Sequence, residues 1–461
     1  MSKTEVLIKC LRQMSSQKTT ANICIVGAGP AGFYSAQQIL KSIASVKVDI
    51  IERLPVPYGL VRYGVAPDHP EVKNVINTFH KVAKDERVQF LGNINVGKDV
   101  SVSELKEYYD AVLLSYGAEE DKTLNIPGEN LENVIPARSF VGWYNGVPCD
   151  KDLDIDLGVE DAVVLGQGNV AIDVARILLS PIDKLKNTDI TSYSLEKLSQ
   201  SKVKRVWLAG RRGPLQAAFT IAELRELLKL DNCKTCWRAD DFDGIKEIVP
   251  NLVRPRKRLT ELMLKSVEDV ASDVRQWEKE FHPIFLRSPV EILGSKRVER
   301  VRFCVNELVG EDMLKQTAKP TNKFEEVPCG LVIRSIGYKS NQIDGYVPVD
   351  LKNGKVLNSA GKVENNLYAA GWVATGPTGV ILSTMTDAFR VAQLMARELK
   401  VVGHKPGYHE LRKVLLQKNI HPITYEGWQK IDEEECNRGK KLGKPREKIV
   451  DISEMLKIAS S

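Results

Sequence analysis

The chain has 461 residues, of which 43% are hydrophobic and 27% charged, so length and composition favour two or three globular domains. Its net charge of +6 is too dilute to indicate nucleic-acid binding by itself. No apolar run approaches the roughly 18 residues of a membrane span. The eight cysteines are too few and too scattered for a disulfide framework, which favours a reducing compartment.

The first 20 residues are basic and nearly free of acid. Lys3, Lys9, Arg12 and Lys18 oppose a single Glu5, and apolar residues recur at helical spacing. This pattern is compatible with a mitochondrial transit segment. A solvated, frayed tail fits the same residues, and both interpretations stay open.

A first nucleotide-binding unit follows. An apolar strand at 22–26 leads into GAGPAG and a helix to about Lys41, and a second strand, 46–51, ends at Glu52. The three glycines permit a tight turn, the approach of a pyrophosphate and close packing of helix on strand, and they are Gly27, Gly29 and Gly32. An acid about 20 residues on can accept the hydroxyls of an unphosphorylated ribose. The unit therefore predicts FAD or NAD.

The same plan recurs in the middle of the chain. A strand at 161–165 precedes GQGNVA, a helix follows to Leu179, and the strand 203–209 ends in Gly210-Arg211-Arg212. An acid there would repel a ribose 2′-phosphate, whereas guanidinium groups can bind it bidentately. The second unit therefore predicts NADP, with Glu223 on a following helix as a candidate for ribose hydroxyls.

The order of these units predicts a nested α/β fold. Strands at 110–115 and 331–335 bracket the second unit, and the chain returns through a strand at 366–371 to complete the first sheet. We therefore expect two Rossmann-like dinucleotide-binding domains, with the NADP domain inserted into a discontinuous FAD domain. The predicted bounds are 20–118 and 333–461 for the FAD domain and 119–332 for the NADP domain.

Two late segments favour FAD over NAD at the first site. They are Ala369-Ala-Gly371-Trp372 and Gly376-Pro-Thr-Gly379-Val-Ile381. The second reads as a glycine loop that opens a helix, whose positive end can stabilise a reduced, anionic flavin. An ordinary strand, turn and helix of the core is the alternative.

Long blocks of the sequence resemble one enzyme family. They are PYGLVRYGVAPDHPEVKN from Pro57, GQGNVA with Asp173, GRRGPLQAAFTIAELRE, GWVATGPTGVI and GKPREK from Gly443. Together they resemble the mitochondrial adrenodoxin reductases, which are NADPH:ferredoxin oxidoreductases. The similarity runs from about Asn22 to the end of the chain.

The resemblance implies particular cofactor contacts. For FAD these are Ala31, Glu52, Leu60, Val96, Trp372, Gly379, Val380 and Ile381. For NADP they are Gln167, Gly168, Asn169, Val170, Arg211, Arg212, Glu223 and Gly379. His69 and Asp173 are the candidates for proton handling, although each also fits a merely structural place near a helix start.

The resemblance also implies a redox partner and a cellular location. Flavin accepts two electrons from NADPH and releases them singly, which suits a [2Fe–2S] ferredoxin of acidic, adrenodoxin type. Arg225, Arg254 and Arg258 are the implied docking residues, in a basic patch that is alternatively only a solvated face. We expect a monomer in the mitochondrial matrix, associated with the inner membrane, that feeds P450 enzymes of steroid metabolism or the synthesis of iron–sulfur clusters and heme.

Two other functions remain as alternatives. Cys233-Lys-Thr-Cys236 has the spacing of a redox pair, so an FAD- and NADPH-dependent disulfide reductase is one. The pair follows the arginines in an apparently irregular loop, and no second CxxC or nearby HxxxH completes a zinc site, so no metal is predicted. The other is a non-enzymatic nucleotide- or RNA-binding protein, which the lack of aromatic residues within the basic run disfavours.

Overall fold

A computed structural model describes residues 20–271, 276–379, 381–401 and 405–461. The proposed transit segment lies outside these ranges. Nineteen strands are described: β1 (Ala21–Val26), β2 (Val46–Ile51), β3 (Val88–Leu91), β4 (Ala111–Leu114), β5 (Glu120–Asp121), β6 (Val134–Pro136), β7 (Asp161–Leu165), β8 (Arg205–Ala209), β9 (Cys233–Thr235), β10 (Lys279–Ile284), β11 (Arg287–Leu293), β12 (Arg300–Val309), β13 (Thr317–Pro328), β14 (Leu331–Arg334), β15 (Tyr338–Lys339), β16 (Val349–Asp350), β17 (Lys355–Val356), β18 (Lys362–Glu364) and β19 (Leu367–Ala369).

Sixteen α-helices are described between and beside these strands. They are α1 (Pro30–Ser42), α2 (Leu60–Tyr63), α3 (Ile76–Ala83), α4 (Val102–Tyr108), α5 (Ala137–Asn145), α6 (Asn169–Leu179), α7 (Ile182–Leu185), α8 (Ser192–Ser199), α9 (Ile221–Leu227), α10 (Ile245–Ile248), α11 (Arg256–Ala271), α12 (Trp372–Thr375), α13 (Ile381–Glu398), α14 (Tyr408–Gln417), α15 (Tyr425–Lys441) and α16 (Ile452–Ser460).

The first sheet joins the two ends of the chain. Its strand order is β18-β19-β4-β1-β2-β3, and all neighbours are parallel except the edge pair β18 and β19. Its central strands are apolar runs because helices cover both faces of a parallel sheet. Helices α1 and α13 pack against each other on one face, while residues of α4 and α14 belong to the core on the other.

The second sheet is entirely parallel, in the order β6-β14-β7-β8-β10-β9. One face packs against α5, α6 and α9 in the largest core cluster. Residues of the antiparallel sheet β11-β12-β13 pack on the other face. Each layer arrangement buries the apolar sequence runs that predicted the strands.

This architecture confirms the predicted fold class, in which one nucleotide-binding unit is nested within the other. The strand at 331–334 corrects one detail, because it lies inside the second sheet between β6 and β7 instead of bracketing it. The chain passes from the first sheet to the second and later returns. The two connecting segments pair with each other, because β5 and β15 form a short antiparallel ladder. The exact domain bounds stay a prediction.

Residues near the end of the chain connect segments from the first and the second nucleotide-binding unit. The Nζ of Lys444 donates to the carbonyl of Ile190 at 2.5 Å, and the Nζ of Lys448 lies 3.2 Å from a carboxylate oxygen of Asp189. Lys73, from the first unit, contacts the same carboxylate at 2.6 Å. Segments far apart in sequence therefore meet at one buried ionic contact.

Candidate functional site

The first glycine loop has the geometry of a phosphate-binding turn. Gly27 has φ +107°, and a Cβ there would lie 2.7 Å from the backbone of Ser115 on the neighbouring strand end. A Cβ at Gly32 would lie 2.1 Å from the Gly27 carbonyl oxygen, so only glycine lets α1 begin this close to β1. Beside Gly29 nothing lies within 4 Å of the Cβ position. The loop therefore leaves room for a pyrophosphate where α1 begins.

Glu52 lies beside this loop at the end of β2. Its carboxylate oxygens accept hydrogen bonds from the backbone N–H of Ala28 at 2.9 Å and of Leu54 at 3.2 Å. Burial raises the pKa of Glu52 above its ordinary value. Each carboxylate oxygen has a second lone pair, so the fixed side chain can still accept ribose hydroxyls.

The late segment 371–381 meets the first loop in space. A Cβ at Gly371 would lie 2.6 Å from the Cβ of Ala31 at the start of α1. The buried Nε1 of Trp372 has no hydrogen-bond acceptor within the parts of the chain that the structure describes. An open donor beside an open phosphate turn fits a bound FAD. Helix α13 begins at Ile381 after Gly379, as the sequence predicts, and Val380 lies outside the described residues.

Leu60 and Val96 are placed differently. A Cβ at Gly59 would lie 3.0 Å from the Cα of Gly29, so the exposed Leu60 is held next to the first loop. Val96 is buried in the core cluster that also contains Ile51. Both positions are compatible with FAD contacts, which remain a prediction.

The second glycine loop repeats the first with one change. Gly166 has φ +135°, and the Cβ position of Gly168 is again open. Ala171, fully buried, stands where the first loop has Gly32. The side chain of Asn169 accepts a hydrogen bond from the N–H of Thr220 at 2.8 Å.

The loop is joined to the arginine segment by further contacts. The carbonyl of Gln167 accepts from the N–H of Ala218 at 2.9 Å. A Cβ at Gly210 would lie within 2.3 Å of the Gln167 side chain, so this glycine lets the arginine turn lie against the loop. Val170 packs partly buried against the large core.

Arg211 and Arg212 follow β8 directly. Arg211 is exposed and Arg212 half-buried, and neither guanidinium has an ion-pair partner among the described residues. Arg256 donates to the carbonyl of Ala217 at 2.8 Å. Its pKa is lowered first by burial and then by the positive charge of Arg212, so a third cation lies beside the pair. Sequence reasoning missed this role because the basic run 254–258 does not reveal which arginine turns inward.

An ionic cluster joins the two units between these loops. At its centre Arg176 of α6 is 2% exposed, and its Nε lies 2.6 Å from Asp68 of the first unit. The same guanidinium lies 2.7 Å from Asp173 and 3.3 Å from Glu223. One buried positive charge is thus shared among carboxylates of both units.

His69 enters the cluster from the first unit. Its Nε2 hydrogen-bonds to Glu226 and lies 3.9 Å from Glu223. Side-chain atoms of His69, Asp173 and Glu223 all lie within 4.8 Å of one another. Burial, followed by the nearby charge of Asp173, raises the pKa of Glu223 to about 7. The structure therefore brings the predicted proton-handling residues together with a carboxyl group that titrates near neutral pH.

The predicted docking arginines are all exposed. Arg225 lies on α9 and Arg258 in the first turn of α11, which packs against α9, while Arg254 lies in the turn just before α11. The inward Arg256 connects this surface to the arginine pair of the second unit. A partner that binds here would contact α9, the helix that also carries Glu223 and Glu226 of the ionic cluster.

Cys233 and Cys236 are not bonded to each other and do not lie together in a loop. Instead of the expected loop, Cys233 begins strand β9, because residues 233–235 pair with β10. Strand residues alternate between faces, so cysteines three positions apart point to opposite sides. Both thiols are free, and burial raises the pKa of Cys233 to about 12 and of Cys236 to about 11.

Comparison with known proteins first gives the class. A family model described as pyridine nucleotide-disulphide oxidoreductase matches residues 21–198. The match spans the whole first glycine unit and the second loop with its helix. Over this part, less than half of its length, the chain is similar to that class of oxidoreductases.

Full-length relatives then give the family. The chain is 51% identical to "NADPH:adrenodoxin oxidoreductase, mitochondrial" of Drosophila melanogaster, covering 97% of this chain and 96% of that protein. The human protein of the same name is 50% identical over 96% of this chain and 93% of its own length. The chain belongs to the NADPH:adrenodoxin oxidoreductase family.

A solved structure agrees. Mycobacterium tuberculosis FprA in complex with NADPH superimposes with a TM-score of 0.89 at 38% identity, covering 96% of this chain and all of that one. The protein is therefore an oxidoreductase with FAD and NADPH as cofactors. None of the helices in the described ranges has the length and apolar character of a membrane span.

Proposed function

We propose that this protein oxidises NADPH with FAD and passes the electrons singly to an acidic [2Fe–2S] ferredoxin. One observation carries the proposal: two open glycine loops lie in a nested fold, and the second is followed by arginines that have no ion-pair partner in the described parts of the chain and lie next to an exposed basic patch. FAD supplies the conversion from two-electron to one-electron transfer when bound. The protein supplies binding, orientation and charge.

The FAD site is built from both ends of the chain. Gly29 and the start of α1 would hold the pyrophosphate, and Glu52 the ribose. The contact between Gly371 and Ala31 brings Trp372 and the start of α13 to the same place. The proposed FAD residues are Gly27, Gly29, Ala31, Gly32, Glu52, Leu60, Val96, Trp372, Gly379, Val380 and Ile381.

The NADP site uses the second loop. Arg211 and Arg212 would bind the 2′-phosphate, because their guanidinium groups have no partner among the described residues and follow the strand where an NAD enzyme has an acid. Arg256 adds positive charge beside them. The proposed NADP residues are Gln167, Gly168, Asn169, Val170, Arg211, Arg212, Glu223 and Gly379.

His69, Asp173 and Glu223 would set the protonation state next to the nicotinamide site. Arg176 keeps their negative charge compatible with burial, and Glu223 loses its proton near pH 7. We assign these residues the task of holding a proton near the site, with no obligatory covalent role.

The ferredoxin would dock on Arg225, Arg254 and Arg258. All three are exposed, on two adjoining helices and the turn that precedes the second, so their charges can steer an acidic partner. We place the protein in the mitochondrial matrix as a monomer at the inner membrane, since its relatives are named mitochondrial. The electrons would serve P450 enzymes of steroid metabolism or the synthesis of iron–sulfur clusters and heme.

Anaerobic stopped-flow reduction tests the proposal. NADPH should bleach the flavin far faster than NADH at equal concentration, and the reduced protein should then reduce an acidic [2Fe–2S] ferredoxin. Charge reversal at Arg254 and Arg258 should slow only the second reaction and flatten its dependence on salt. Arg412→Glu, an exposed arginine on α14, is the matched control and should change neither reaction.

Failure would be distinct for each part. Equal reduction by NADPH and NADH would contradict the NADP site. Ferredoxin reduction that is insensitive to salt in the unaltered protein would contradict the docking surface. Loss of ferredoxin reduction on replacing Cys233 and Cys236 with serine would instead favour the disulfide reductase.

A further inference from the structure

Strands β9 and β10 bring three metal-binding side-chain types to one face of the second sheet. They are parallel neighbours in the register Cys233 with Lys279 and Thr235 with Phe281. The ladder continues one step, because the N–H of Cys236 donates to the carbonyl of Phe281 at 2.7 Å. Side chains two positions apart share a face, so Glu280 and His282 lie on one face of β10.

Cys236 joins this pair from the adjacent strand. One ligand atom each from Cys236, Glu280 and His282 lies within 4.8 Å of both others. The Nε2 of His282 hydrogen-bonds to Glu280 at 2.7 Å. The group is half-buried, so an ion can reach it from solvent while one coordination position stays open.

The imidazole is held in place and is available as a ligand. Its ring stacks on Trp207 with centroids 4.1 Å apart and planes 25° apart. The hydrogen bond to Glu280 and the stacking on Trp207 together fix the position of the His282 ring before any metal binds.

The surrounding charges permit a cation. The positive charge of Arg205 acts on His282, and this guanidinium is paired with both carboxylate oxygens of Asp161 at 2.6 Å. Its positive charge is therefore largely compensated. Glu280 and a Cys236 thiolate would place two negative charges beside the ion. The positive charge that acts on Cys236 is that of Lys234, two residues earlier on β9.

We propose that Cys236, Glu280 and His282 form a binding site for one Zn²⁺ ion, with water at the fourth position. Thiolate, imidazole and carboxylate are all zinc ligands, and three protein ligands with one open position is a known zinc arrangement. On binding, the sulfur–zinc bond replaces the S–H bond of Cys236, and that proton goes to solvent. His282 stays neutral, because one ring nitrogen binds the zinc and the single ring proton is carried by the other nitrogen. The CxxC motif thus contributes one ligand, and the adjacent strand provides the others.

Zinc titration of the flavin-loaded protein tests the site. The protein is first freed of metal with a chelator and desalted, and Zn²⁺ alone is then followed by calorimetry in two buffers of different ionisation enthalpy. We expect one ion per chain, release of one proton, and affinity that rises about tenfold per pH unit below the thiol pKa. Cys236→Ala and His282→Gln should each abolish this binding, and Glu280→Gln should weaken it.

Cys233→Ala is the matched control, since Cys233 belongs to the same motif but points to the opposite face. It should keep the binding unchanged. Co²⁺ gives a second measurement, because its thiolate-site absorption in the red does not overlap oxidised flavin and its binding should quench Trp207. A Cys236→Ala variant that binds Zn²⁺ as the unaltered protein does, or a Cys233→Ala variant that loses it, overturns the proposal. So does an unaltered protein that binds no Zn²⁺.

Discussion

The two glycine loops show how one backbone plan is adapted to two nucleotides. Gly29 and Gly168 are equally open, and both loops begin with a glycine at positive φ. They differ where the next strand ends. The first has Glu52, fixed by two backbone N–H groups, and the second has arginines with no partner among the described residues. Under the proposed function, the turn would bind the pyrophosphate and the end of the neighbouring strand would select which ribose is bound.

The largest effect is expected when the two arginines that follow the second loop are removed. Replacing Arg211 and Arg212 with alanine should weaken NADPH binding by about 3 to 5 kcal/mol, roughly a hundredfold to several thousandfold, because two charge-assisted contacts are lost. NADH binding and FAD content should stay unchanged. Titration of flavin absorbance with each nucleotide measures this.

The matched control for this change is Arg300→Ala with Arg302→Ala, which removes the same charge from β12. If the control weakens NADPH binding equally, the effect is one of overall charge, and the assignment of the 2′-phosphate site is wrong.

The third position of each loop should respond unequally. Gly32→Ala places a Cβ 2.1 Å from the Gly27 carbonyl and should cost about 3 kcal/mol of stability, together with much of the bound FAD. Ala171→Gly, the reciprocal change, should cost only about 1 kcal/mol. Thermal unfolding and the ratio of flavin to protein absorbance measure both. Equal effects would show that the helices approach their loops alike.

The acid of the first unit should have a smaller effect. Glu52→Gln keeps the shape but replaces a charged acceptor of two backbone N–H groups, so FAD affinity should fall by about 1 to 2 kcal/mol. The preference for NADPH over NADH should not change. Equilibrium dialysis of FAD provides the measurement. Glu119→Gln, an exposed neighbour, serves as the control and should retain full FAD affinity.

The smallest effect concerns pH. The folded pKa of Glu223 is raised to about 7, so its carboxyl is neutral below that pH and gains a negative charge as pH rises through it. This charge lies beside Asp173 in the proposed NADP site. A carboxylate next to the positively charged nicotinamide ring should bind NADP⁺ better than a neutral carboxyl group. We therefore expect the affinity for NADP⁺ to rise by less than about tenfold between pH 6 and 8, beyond the effect of the nucleotide's own titration.

Glu223→Gln should remove that excess, while Glu261→Gln on α11, an exposed carboxylate, should keep it. Difference spectra of the flavin at several pH values measure the NADP⁺ affinity of all three proteins. An identical pH profile in Glu223→Gln would assign the titration to another member of the cluster.

Much of the fold could be predicted from the sequence because parallel strands buried on both faces are apolar runs, and glycine spacing marks each turn. The nested order followed from finding the same plan twice. The strand at 331–334 was misplaced because an apolar run does not reveal which sheet it joins. Likewise, Cys233 sits in a strand whose partner, β10, lies more than forty residues away.

The candidate site was predictable only in part. The arginine pair directly follows a strand that the sequence predicts, so its position in the site could be predicted as well. The central role of Arg176 could not be predicted, because only Asp173 lies on its own helix. Asp68 and the two carboxylates of α9, Glu223 and Glu226, reach it only in the folded chain. Arg256 was hidden within a run of similar residues.

The nested fold also dictates the order in which the protein is built. Every strand of the second sheet has been synthesised by residue 334, whereas β19, which pairs with β4, ends at Ala369. The contact of Gly371 with Ala31 forms later than the whole second sheet can. The second sheet can therefore pair fully during synthesis while the first sheet still lacks β19, and the proposed FAD site is complete only when the last part of the chain has been made.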